Sequence, residues 1–300
     1  VAWAKEHGYG IDFNPTLFSH PMVKEGLTVS SPDKDVRDFW IRHCIACRKI
    51  AERIGEELDD MVLNNFWIPD GLKDYPADRF GMRERLRDAL DEIYSFETPH
   101  VIDAMEQKVF GIGVEGFTTG NQEFYVSYAA KKGGNHVVLI DAGHFNPMEN
   151  IADKLSSLLL FFPYVPLHVT RGVRWDSDHV VLFDDETKEI ADRALPGGWD
   201  KVIIGLDFFD ASINRIGAWA TGTRAMEKSL LFELLQPVER LKELQDTYRF
   251  SEEELFYMLA RRRLIWRIAA PYNSVDLLLR IDRIRCGILR EGVVDNVKLL

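Results

Sequence analysis

The 300-residue chain has room for one large domain or two small ones. Hydrophobic residues make up 46% and charged residues 28%, a globular balance that excludes a mainly disordered or collagen-like chain. A net charge of -11 argues against a nucleic-acid binder, which needs a basic face, and no apolar run approaches the ~18–20 residues of a membrane span.

Residues 1–8 read as the last turns of a helix ending on a glycine cap, and no signal peptide is evident. A chain that opens in this way is expected to be a piece of something longer. Apolar runs at 9–13, 62–68, 101–106, 136–140, 166–170 and 201–206 lack strict polar alternation, as strands covered on both faces do. Helical patterns at 34–58, 78–95, 121–132, 148–161 and 184–194 separate them, which predicts parallel βαβ units. A further helix is expected over 213–236, and an appended helical segment rich in Arg and Leu over 238–290.

Polar residues recur where the strands end: Asp12 and Asn14, Trp67 and Asp70, Glu106 and Lys108, Asp141 and His144, His168 and Arg171, Asp207 and Asp210. An open sheet collects its functional groups at one switch point. Groups that ring the whole sheet indicate a barrel. The predicted fold is therefore α/β: a (β/α)8 TIM barrel, represented by strands 3–8 with the first two βα units missing, plus C-terminal helices. The partial barrel is expected over 1–236 and the helical extension over 237–300. The glycines of 110–116 do not open a helix and are not read as a phosphate loop.

The three cysteines are too few for a disulfide framework and suit a reducing cytosol. Cys44 and Cys47 form a Cys-x-x-Cys pair inside a predicted helix with no second pair nearby. They read as small apolar side chains on one helix face.

Glu106, Asp141, His144, His168, Asp176, Asp178 and Asp207 come from successive strand ends and the loops after them. Carboxylates packed together repel and desolvate at large cost, which divalent cations would remove. The alternative is a polar barrel mouth with ordinary salt bridges. Oxygen and imidazole donors without thiolate suit Mn, Mg, Co or Zn at a catalytic site. The seven exceed what one ion usually takes, so two ions are expected. Asp141 and His144, three apart, can each face a different ion. Asp176 and Asp178, two apart, share a face in an extended segment. Aromatic residues beside these groups (Trp67, Trp175, Phe208, Phe209) suit a sugar, with apolar C–H faces and polar edges. Fold and metal alone do not name the reaction, since isomerases, epimerases and hydrolases share them.

Longer motifs do point to one. Gly10-Ile11-Asp12-Phe13-Asn14-Pro15, Trp67-Ile68-Pro69-Asp70-Gly71, Asp103-Ala104-Met105-Glu106-Gln107-Lys108, Asp141-Ala142-Gly143-His144-Phe145, Trp175-Asp176-Ser177-Asp178-His179 and Ile204-Gly205-Leu206-Asp207-Phe208-Phe209 resemble the L-rhamnose isomerases. The resemblance runs from residue 1 to about 236; 238–300 does not share it. It implies a TIM barrel of the xylose-isomerase-like type and interconversion of L-rhamnose and L-rhamnulose in a cytoplasmic, manganese-favouring homotetramer, with Zn2+ or Co2+ as other possible ions. It also implies that Glu106, Asp141, His168 and Asp207 hold a structural ion, and that His144, Asp176 and Asp178 hold a catalytic one. Trp67, Lys108 and Phe209 would line the sugar pocket, and Lys108 and Asp207 are the expected catalytic residues. The preferred mechanism is a hydride shift between C1 and C2; an enediol route would need a free base near C2. The alternatives are another metal-dependent barrel enzyme, such as a sugar epimerase or a hydrolase, and a non-catalytic partial barrel. No nucleic-acid or membrane partner is expected.

Overall fold

The computed structural model describes residues 1–268 apart from Thr16, Val109, Ile112, Pro147, Arg174, Trp199 and 209–213; for Trp175, Asp176, Gly197 and 261–268 it describes the backbone only. The chain forms two units, Val1–Met226 and Glu227–Leu300.

The elements follow in order: α1 (Ala2–His7), α2 (Lys34–Leu58), β1 (Val62–Trp67), β2 (Gly71–Leu72), α3 (Arg79–Ile93), β3 (Val101–Glu106), β4 (Phe117–Thr118), α4 (Gln122–Lys132), β5 (His136–Asp141), α5 (Ala152–Leu158), β6 (Val165–Val169), β7 (Arg171–Val173), β8 (Trp175–His179), α6 (Asp185–Gly197), β9 (Val202–Leu206), α7 (Arg215–Leu234), α8 (Val238–Asp246) and α9 (Phe250–Ile268). α1 ends as expected on Gly8, whose φ of 71 is a conformation glycine adopts without steric cost. Side-chain oxygens of Asp33, Asp78, Asn121 and Asp184 cap α2, α3, α4 and α6.

Five strands form one parallel sheet in the order β1-β3-β5-β6-β9. Five of the six predicted strands are thus present. The sixth, 9–13, reduces to a single parallel bridge of Phe13 to Asn64. Phe13 exchanges backbone hydrogen bonds with Leu63 and Asn65 at 2.8 and 3.0 Å. Upstream of Phe13 the Leu63 N–H that a longer ladder would use goes to the Asp12 carboxylate at 3.0 Å, and downstream Pro15 has no N–H to give. The predicted helix 148–161 shortens to α5, since the Asn150 side chain accepts from the Ala152 N–H at 2.9 Å and starts the helix late. Over 238–290 the described residues form two helices, α8 and α9, separated at Tyr248, whose φ is 59; 269–290 lies outside the described residues. Among the described residues no helix is long and apolar enough to cross a membrane.

β3 separates two environments. Val101 and Asp103 face α2, where Ala51 and Ile54 pack on Val62, Val101 and Phe13. Glu106 lies on the opposite face, as its odd spacing from Asp103 requires. Arg48 of α2 is buried against Asp103, donating from Nε and Nη2 at 2.8–3.1 Å. It also donates to the carbonyls of Ile93 and Phe96 and to Thr98 Oγ1, and its guanidinium stacks over the Phe96 ring at 4.5 Å. Every side of the guanidinium is used, which is what makes a buried ion pair tolerable.

Asp70, noted above as a strand-end polar residue, serves the fold. It is buried and accepts from the backbone N–H and hydroxyl of both Thr28 and Ser30 at 2.5–3.0 Å. Burial raises its pKa against these bonds.

Arg48→Met should destabilise the chain by about 3–5 kcal/mol in urea unfolding, because it strands the Asp103 charge. Arg48→Met combined with Asp103→Leu should cost less than Arg48→Met alone. Equal or larger cost in the double variant would contradict this reading.

Candidate metal centre

Parallel register brings the C-terminal ends of β3, β5, β6 and β9 to one edge. Glu106 ends β3, Asp141 ends β5 beside His168 of β6, and His168 lies beside Gly205 of β9. Asp207 follows β9 directly. A Cβ at Gly205 would stand 3.3 Å from His168 Cδ2, so glycine there leaves room for the imidazole.

The side chains converge. His168 Nδ1 lies 3.5 Å from Glu106 Oε2, 3.5 Å from Asp141 Oδ2 and 3.4 Å from Asp207 Oδ2. His144 Nδ1 lies 3.0 Å from Glu106 Oε1. One ligand atom each from Glu106, Asp141 and His144 falls within a 4.8 Å group, and the same holds for Asp141, His168 and Asp207. Asp141 is common to both, and its Oδ1 accepts from the Gly143 N–H at 2.6 Å.

One ring nitrogen carries at most one proton, yet His168 Nδ1 faces three carboxylates at distances long for hydrogen bonds. Burial opposes charge on His168, but Asp141 and Glu106 outweigh it and push its pKa up to about 11. Burial also works against the Glu106 carboxylate, and the His144 and His168 imidazoles beside it overcome it and hold the group well below the usual range. Asp141 is raised by burial, and Asp207 is raised by burial to about 6. Three carboxylates thus share two imidazoles, and the donors are oxygen and nitrogen. That set fits a divalent cation of the Mg, Mn, Co or Zn type. The buried thiols of Cys44 and Cys47 lie on α2, as their helical spacing predicted.

Trp67 pairs in register with Glu106. Its ring stacks on His144 at 5.9 Å, and Lys108 Nζ lies 5.9 Å from its centre. Lys108 is buried beside Gln107, whose Nε2 donates to the His144 carbonyl at 2.8 Å. Trp67 and Lys108 thus stand at the edge of the carboxylate cluster. Phe208 packs instead on Gly222 of α7.

The segment after β6 is an antiparallel hairpin, β7–β8, where a loop was expected. Asp178 of β8 has a φ of 40, which takes it out of regular extended geometry. Among the described residues Asp178 is in neither ligand group. The side chain of Asp176, and all of Phe209 and Asp210, lie outside the described residues. Arg171 braces the hairpin by donating to the Val180 carbonyl at 3.0 Å, and Asp12 accepts from the Leu63 N–H at 3.0 Å.

Sequence reasoning missed Asn65. Its Nδ2 donates to Glu106 Oε2 at 2.6 Å and to Asn14 Oδ1 at 2.9 Å. The signal was present: paired asparagines inside an apolar strand, where Asn is disfavoured. Asn64 points the other way and donates to Asp103 at 3.2 Å.

A sequence profile of the family L-rhamnose isomerase (RhaA) matches residues 1–263. The chain belongs to the L-rhamnose isomerase family. The match reaches past the residue 236 at which the resemblance was expected to stop. The L-rhamnose isomerase of Yersinia pseudotuberculosis serotype O:1b (strain IP 31758) is 54% identical over 248 residues, covering 82% of this chain and 59% of that protein. That of Yersinia pestis (strain Pestoides F) is 53% identical over the same shares. The chain therefore spans 59% of the length of the curated relatives it matches. Among solved structures, a D-tagatose 3-epimerase-like protein aligns with a TM-score of 0.55 at 18% identity over 77% of this chain and 81% of that one. A D-psicose 3-epimerase crystallised with D-fructose aligns with a TM-score of 0.51 at 14% identity over 75% and 79%. These likenesses show the fold: TIM-barrel-like, with the five-stranded parallel sheet as a half-barrel and helices around it.

Asp141→Asn should weaken Mn2+ binding in calorimetry more than Asp207→Asn does, since Asp141 belongs to both groups. Its loss should exceed the ~10–100-fold typical for the hydrogen-bonding partner of a ligand. Unchanged affinity would remove Asp141 from the ligand set.

Proposed function

We propose that this chain carries the metal and sugar site of an L-rhamnose isomerase, which interconverts L-rhamnose and L-rhamnulose in rhamnose catabolism. The observation that carries this reading is the convergence of Glu106, Asp141 and Asp207 on His168 at the strand ends of a family member. In this reading Glu106, Asp141, His168 and Asp207 hold one ion. His144, Asp176 and Asp178 hold a second, and the Glu106–His144 contact of 3.0 Å supports a position for His144 at the border of the two sets. Manganese is the proposed ion, with zinc or cobalt as substitutes.

Divalent ions, when bound, supply Lewis-acid polarisation of the sugar oxygens. The chain's own residues do the rest. Trp67 offers a flat apolar wall to the C–H face of the sugar. Lys108 places a positive charge beside that wall, where a sugar oxygen develops negative charge. Phe209 completes the lining. Asp207 is the proposed carboxylate at the reacting carbons: its side chain is 25% exposed, against 3% for Glu106 and 2% for Asp141. In this reading the hydrogen on C2 passes to C1 as hydride while the O2 hydroxyl proton is transferred to O1, and the reverse reaction runs the same way. The enediol route needs an uncommitted carboxylate near C2, and all three of these converge on His168.

The six parallel positions, counting the Phe13 bridge, are read as strands 3–8 of the eight-stranded barrel. Residues 1–236 are the proposed barrel part and 237–300 the helical extension; the end of α7 at Leu234 supports this division, whereas the two compact units meet within α7, at Met226. The proposed assembly is a cytoplasmic homotetramer.

L-rhamnulose formation from L-rhamnose in Mn2+ tests this, using the chain alone and joined to the N-terminal part of a family member. The joined protein should make L-rhamnulose, and Glu106→Gln should abolish it. Metal binding without any ketose from either form would contradict the isomerase reading. In the active form Trp67→Ala should raise KM for L-rhamnose about 10-fold and change kcat less.

A further inference from the structure

We propose that Asn65 is a positioning residue for Glu106: its amide holds the carboxylate through a neutral donor and fixes which lone pairs face the cation. The inference rests on Glu106 being a metal ligand, as proposed above.

Asn65 is buried, 1% exposed, on the face of β1 that also carries Trp67. Its register partner on β3 is Ala104, a small residue. The Asn65 side chain can therefore cross diagonally over Ala104 to Glu106, two residues further along β3. An ionised carboxylate only accepts, so the amide nitrogen must be the atom facing Glu106 at 2.6 Å. The second bond of Nδ2, to Asn14 Oδ1 at 2.9 Å, uses the other amide proton and fixes the amide plane. Glu106 then has Oε1 on His144 and Oε2 between Asn65 and His168. Its carboxyl cannot rotate without breaking one of these contacts.

Asn65 does this at a cost. Its Oδ1 is buried with no hydrogen-bond partner among the described residues, and Asn is disfavoured within strands. An apolar residue would fill the space without leaving an unsatisfied acceptor. The chemistry of the donor explains the choice. Lys or Arg here would compete with a divalent ion through charge, and Asp or Glu would repel Glu106. A carboxamide donates without adding either sign.

The test is Mn2+ binding by calorimetry, with Co2+ visible absorption as a report on coordination geometry, on the chain and on Asn65→Leu, Asn65→Ser, Asn65→Gln and Glu106→Gln. Asn65→Leu and Asn65→Ser should each lower Mn2+ affinity about 10–100-fold and alter the Co2+ bands. Asn65→Gln, which keeps the amide donor, should stay within a few-fold of the parent. Asn65→Ser carries the test if Asn65→Leu does not fold. Parent-like affinity and spectrum in Asn65→Leu or Asn65→Ser, with binding lost in Glu106→Gln, overturns the role of Asn65 and leaves the metal site standing. Parent-like binding in Glu106→Gln overturns the metal-site assignment and this inference with it.

Discussion

Glu106, Asp141 and Asp207 are held against a single imidazole nitrogen, within 3.4–3.5 Å of His168 Nδ1. No side chain can flee this crowding, because each sits at or beside the end of a strand fixed by parallel hydrogen bonding. The negative charge must be met by protons on the two histidines or by a cation. Much of the surrounding structure follows from that need. Asn65 and the Gly143 N–H donate to the carboxylates, Gln107 holds the backbone of His144, and Gly205 makes room for His168.

The opposite face of the same strand solves the same problem by another route. Asp103, three residues before Glu106, is neutralised by Arg48, whose guanidinium is in turn satisfied by two carbonyls and a hydroxyl. One carboxylate is permanently paired with a protein cation and anchors α2 to the sheet. The other is surrounded by donors and imidazoles that leave its metal-binding capacity intact. β3 thus joins a structural ion pair to the proposed site through a rigid backbone.

Strands covered on both faces lack strict polar alternation, which is why β1, β3, β5 and β6, buried along most of their length, were legible in the sequence; β9 carries the same pattern although it is half-buried from Ile203 onward. The segment at 9–13 carries a similar run, yet it pairs only at Phe13, because the Asp12 carboxylate takes the Leu63 N–H that an upstream ladder bond would use. The β7–β8 hairpin was hidden because Val173 and Trp175 are set among charged and polar residues and no Asn-Gly or Asp-Gly turn joins its strands. Glu106, Asp141, His144, His168 and Asp207 were legible from their place at strand ends, and the structure brings them together. Asp70 looked the same in sequence and proved to be a clamp for Thr28 and Ser30, since strand-end position does not reveal which way a carboxylate is claimed. Asn65 was invisible as a partner of Glu106 because the contact is diagonal across two strands. The family match to residue 263 reaches into a helical region in which no family motif was recognised.

The central claim is that this cluster is built for a divalent cation. A manganese anomalous-difference map from crystals grown with Mn2+ addresses it directly. The account predicts a peak bounded by Glu106, Asp141, His168 and Asp207. A map with no peak there, with His168 hydrogen-bonded among the three carboxylates instead, would contradict it.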